Sequence, residues 1–280
     1  MSYRRLAWLA ALAFAVVALG APSAPAHELW IEADARGKIA EPARIDVSWG
    51  HSGERTPGEM LRRQASRLSG SFVAPDGTAH ALTFTVGDDR FETTLTPKSA
   101  GCHVIGAELQ SGIIDKEFHG IPANTRIVMY GKAVTRVGAS NEGSGNTLGF
   151  DLEIVPVSDP GDLHPGDVVT VKLLLRGKPV GGREVILSLR TAGPQAPPDD
   201  PRLQSTQWAI EGHPDPRTGE VSFPLIVAGP HLFSIRYLDE TPGTYRGDVQ
   251  YATEFSHLRK GDQFERTMYM ATFSMDVGAK

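Results

Sequence analysis

Turn-forming residues recur so often along this chain that a long helix has nowhere to grow. There are 30 glycines and 20 prolines in 280 residues, and the runs between them are short, rich in β-branched and aromatic residues, and poor in helical periodicity. The spacing predicts strands at Arg44–Trp49, Ser69–Ala74, Ala81–Val86, Arg90–Leu95, Cys102–Leu109 and Thr125–Val137. Pro75-Asp76-Gly77-Thr78 reads as a tight turn, and Met60–Leu68 as a short helix with few apolar residues to anchor it. Ala139–Thr147 is small and polar, the composition of a linker or long loop. A second series follows at Phe150–Pro156, Val168–Leu175, Glu184–Leu189, Gly219–Ile226, His231–Leu238 and Met268–Val277. The fold class expected is all-β, as two immunoglobulin-like β-sandwich domains in tandem over residues 27–148 and 149–280.

Residues 1–26 read as a signal peptide. Arg4 and Arg5 form a basic start, Leu6–Leu19 is an apolar run, and Ala24-Pro25-Ala26 has the small-x-small pattern of a cleavage site. The run is shorter than the ~20 residues that span a bilayer, and no later stretch approaches that length. Export to the periplasm is the expectation, with His27 as the new N-terminus and no transmembrane segment in the mature protein. Arg4 and Arg5 are the only charges removed, which leaves 26 basic against 33 acidic residues, a balance of −7. An acidic chain without a basic run is a poor partner for nucleic acid or an anionic membrane. Cys102 is the single cysteine, so stability must come from a core rather than from disulfides, and burial is its expected fate.

An N-terminal histidine offers two nitrogens, its α-amine and its imidazole, and so can chelate a borderline ion. His51, directly after a predicted strand, approaches His27 if the first strand pairs with its neighbour. His119 lies in a long connection that could deliver a further imidazole. His103 is the fourth candidate; it alternates with Cys102 along a strand, so the two face opposite sides and do not share one ion. His80, His164, His213 and His231 sit beside turns, and His257 lies near Glu254. The cofactor expected is a divalent transition metal ion, Cu(II) or Ni(II) in a tetragonal site and Zn(II) in a tetrahedral one. No catalytic signature is present: His-Glu-x-x-His, Gly-x-Ser-x-Gly and a phosphate-cradling loop are all missing. Trp30, Trp49 and Trp208 read as core residues.

The mature start His27-Glu28-Leu29-Trp30-Ile31-Glu32, then Gly50-His51 with Glu54, Tyr130-Gly131-Lys132-Ala133-Val134, and Leu152–Pro156 leading to Pro165-Gly166-Asp167 and Gly177-Lys178-Pro179-Val180 occur in a telling order. In these the chain resembles the bacterial periplasmic NikM-like family of unknown function, described as the periplasmic component of nickel/cobalt transport. That resemblance spans nearly the whole mature chain and implies an accessory protein for uptake or handling of nickel, cobalt or a similar ion, with a membrane metal importer as partner. The chain departs from the family in an insertion, Asp239–Gly261, carrying Tyr245, Tyr251, Glu254 and His257. A non-enzymatic metal-binding protein is therefore expected. One alternative is a structural or interaction module of the envelope in which the histidines are incidental. The other is a copper oxidase, since an N-terminal histidine on a β-sandwich is the one feature shared with the histidine-brace enzymes.

Overall fold

A computed structural model describes residues 27–50, 56–118, 120–191 and 209–278. In the first half the strands are β1 (Glu28–Ala33), β2 (Arg36–Gly37), β3 (Ala43–Gly50), β4 (Leu68–Val73), β5 (Ala79–Leu82), β6 (Thr85–Val86), β7 (Phe91–Leu95), β8 (Gly101–Ile114) and β9 (Thr125–Val137). The short helix α1 (Gly58–Gln64) follows Pro57, whose fixed φ suits a helix start, and buries Leu61 against the first core. It ends in a 3-10 turn, Ala65–Arg67.

The second half adds β10 (Leu152–Pro156), β11 (Val168–Leu175), β12 (Lys178–Pro179), β13 (Leu187–Thr191), β14 (Ala209–Gly212), β15 (Glu220–Pro224) and β16 (Gly229–Asp239). The segment read as an insertion contributes β17 (Gly243–Thr244), β18 (Tyr251–Ala252) and β19 (Ser256–Leu258); β20 (Gln263–Phe264) and β21 (Arg266–Val277) close the chain. The molecule is thus nearly all β, as the turn spacing requires.

One large sheet runs through both halves in the order β14-β13-β16-β21-β9-β8, with β4 and β19 both pairing with β8. Its centre is a parallel pair, β21 beside β9, in register from Arg266 opposite Thr125 to Ser274 opposite Ala133. Side chains alternate across a strand, and here each face meets a different cover. Ile127, Met129 and Ala133 of β9 point to a core closed by the sheet β1-β3-β7-β6, through Leu29, Ile31, Ile45, Val47 and Phe91. Val128 and Tyr130, one residue out of phase, point the other way, to a core closed by β10, β11 and β15 through Ile154, Val171 and Phe223. The two halves expected in tandem are therefore joined by a shared sheet, with their cores on opposite faces of it.

Two local features bind the halves further. β1 crosses the shared sheet at Gly131, where a Cβ would stand 3.3 Å from both the Ile31 side chain and the Leu29 carbonyl oxygen. The Thr272 hydroxyl of β21 donates to that same Leu29 carbonyl at 2.6 Å. The polar tract 139–147, read as a linker or long loop, packs on the structure: the Glu142 carbonyl accepts from Cys102 N at 2.7 Å, and the Asn146 amide donates to the Ala74 carbonyl at 3.0 Å.

Candidate functional site

β1 lies antiparallel on β3 from Glu28 opposite Gly50 to Ala33 opposite Ile45. Leu29 and Ile31 anchor it in the core, which fixes the direction in which its first residues leave the sheet. At that end the His27 imidazole stacks on the Trp49 indole, centroids 4.4 Å apart and planes 21° from parallel. The Trp49 Nε1–H is buried with no hydrogen-bond partner. Next to them the Glu28 carboxylate takes a double contact from the Arg190 guanidinium of β13, whose Nη1 also donates to Ser234 Oγ at 3.3 Å. The β1 terminus is thereby tied to the second half of the molecule. With its carboxylate so engaged, Glu28 is structural here.

His51 and His119, two of the four histidines singled out in the sequence, lie outside the described residues, as does Trp208. His103 is described, and the structure does not bring it to His27. It pairs across to Thr135, whose hydroxyl donates to the Asp34 carbonyl; from Asp34 back to His27 is an extended run of roughly 20 Å. His103 is buried, its Nε2 lies 3.2 Å from the Ser99 carbonyl oxygen, and its Nδ1 has no partner. Cys102, on the other face, is also buried, which pushes its thiol up to about 11. Among the described residues no three of His, Cys, Asp and Glu converge as a metal-binding group.

The remaining histidines have structural partners. His80 stacks on Phe72 at 4.8 Å, and His213 and His231 sit 3.2 and 2.9 Å from the carbonyls of Val185 and Gly229. His257 bridges Asp115 at 2.9 Å and Asp262 at 3.5 Å, tying the 239–261 segment to the end of β8.

The same segment folds over the second-core face of β8 and β9, and between them lies an open cavity of about 570 Å³. Arg67, Glu108, Gln110 and Arg126 line it on the side of the shared sheet and its leading turn, and Tyr245 and Arg246 line it from the 239–261 segment. Reading the sequence for histidines missed these residues. Their signal is nonetheless present: Glu108 and Gln110 are polar at alternate positions of an otherwise apolar strand, so they share one face.

The family described as a domain of unknown function, DUF4198, matches residues 24–239. No curated protein matches the chain. Among solved structures a marsupial T cell receptor is similar at a TM-score of 0.25 and 7% identity, over 87% of this chain and 73% of that one.

Proposed function

The chain belongs to the DUF4198 family, a domain of unknown function, and from that premise we propose that it is an exported, non-enzymatic protein that binds a divalent transition metal ion at His27. A family without a function leaves the site to carry the reading. The observation that supports it is the register of β1 on β3: pairing ends with Glu28 opposite Gly50, and the residue before Glu28 and the residue after Gly50 in the sequence are both histidines, His27 and His51. Removal of a leader ending at Ala26 frees an α-amine on the residue that carries the first imidazole. Amine and imidazole nitrogens suit nickel, copper and zinc; the family resemblance favours nickel or cobalt and a membrane importer as recipient. His27 and His51 hold the ion, and Trp49 orients the His27 ring by stacking.

Intact mass and bound metal, measured on protein recovered after export, test this directly. The reading expects a chain beginning at His27 and one tight ion per molecule. An alanine inserted before His27, or His51→Ala, is expected to weaken affinity for Ni(II) or Cu(II) at least tenfold. Unchanged affinity in both variants refutes the site.

A further inference from the structure

We propose that the cavity lined by residues 244–249 binds a small organic anion, a carboxylate or a phosphate ester, through Arg67 and Arg126. This rests on different residues from the metal reading and stands or falls separately. Arg67 is 7% exposed, and its Nε has no hydrogen-bond partner. One of its Nη groups donates to the Arg63 carbonyl at 3.2 Å, and the guanidinium lies 3.8 Å from the centre of the Tyr251 ring. Arg126 has a buried, unpartnered Nε as well, while its Nη2 donates to Gln110 Oε1 at 2.9 Å. Among the described residues neither guanidinium has a carboxylate within ion-pairing distance, whereas Arg266 of the neighbouring strand has both Glu240 and Glu265. Burying a cation without a counter-charge is costly, and a bound oxyanion would offset that cost.

The rest of the wall indicates what else the ligand carries. The Gln110 amide donates to the Glu108 carboxyl, so Arg126, Gln110 and Glu108 form one oriented chain. Burial raises the Glu108 carboxyl above its ordinary range, against the opposing pull of Gln110 and the Arg126 charge, and its oxygens can accept a hydrogen bond from a ligand hydroxyl. Tyr245, buried with Arg126 lying 5.4 Å from its ring centre, gives the cavity an apolar side. A volume of about 570 Å³ exceeds the needs of an inorganic ion and falls within the ~300–1,000 Å³ of small-molecule sites. A guanidinium pair facing an aromatic side and a hydroxyl-bonding carboxyl matches a hydroxylated organic acid or a sugar phosphate.

Titration calorimetry of the full chain with citrate, glucose 6-phosphate, inorganic phosphate and glucose tests the assignment. Citrate or glucose 6-phosphate is expected to bind, whichever does so identifying carboxylate or phosphate as the anionic group. Arg126→Gln is expected to weaken that binding at least tenfold, and Arg246→Gln, at the exposed mouth, severalfold with its circular dichroism and melting temperature unchanged. Failure of both organic anions to bind, binding by glucose of equal strength, inorganic phosphate binding as tightly as either, or affinity indifferent to both substitutions would overturn it.

Discussion

Lys132 and Glu153 meet at 2.7 Å between the shared sheet and β10, and both are almost wholly buried. The pair is well furnished: the ammonium also donates to the Asn146 carbonyl at 3.3 Å, and the carboxylate accepts from Leu148 N at 2.8 Å. Burial pulls the lysine down from its usual range. Removing either partner strands the other charge, so Lys132→Met and Glu153→Leu should each cost about 3–5 kcal/mol, whereas the double substitution should cost far less. Denaturant unfolding of the three variants measures this, and a double variant as unstable as the sum of the singles would contradict it. A lysine inside the run Tyr130–Val134 gives no hint of such a partner; it comes from a strand some 20 residues on. Burial of Cys102, by contrast, was legible, because its apolar neighbours leave a thiol little else to do.

Most strands were readable one at a time. Thr125–Val137 and Val168–Leu175 fall where their patterns place them, and Met60–Leu68 contains most of α1 and its 3-10 extension. Cys102–Leu109 stops short, since β8 continues to Ile114 through a bulge between Gln110 and Gly112. A bulge interrupts the alternation on which such readings rely. Gly112 there has φ +86°, and a Cβ on it would overlap the Tyr251 hydroxyl. The conformation thus admits the tyrosine that underlies Arg67. Gly112→Ala should destabilise the protein by about 1–3 kcal/mol and loosen the 239–261 segment; faster amide exchange confined to residues 243–264 is the readout. Exchange that stays at wild-type rates would show that the glycine is dispensable. The two- and three-residue strands of that segment carry too little periodicity to be seen in the sequence.

At the scale of the whole molecule, β9 and β21 belong to both cores, so the halves are expected to unfold together. Heating or denaturant should give one transition, with far-ultraviolet circular dichroism and tryptophan fluorescence coincident. Residues 149–280 made alone should lack fixed tertiary structure, because Val128 and Tyr130 of β9 complete their core and β1 covers the far side of β21. A fragment with a cooperative melt of its own would refute this. The sequence by itself determined the all-β class, most strand positions and the burial of Cys102, because each follows from the chemistry of neighbouring residues along one strand. Only tertiary structure decided that β9 and β21 lie side by side, that His103 is far from His27, and that Arg67 and Arg126 face one cavity. Those facts depend on contacts between residues far apart in the chain, which local pattern does not encode.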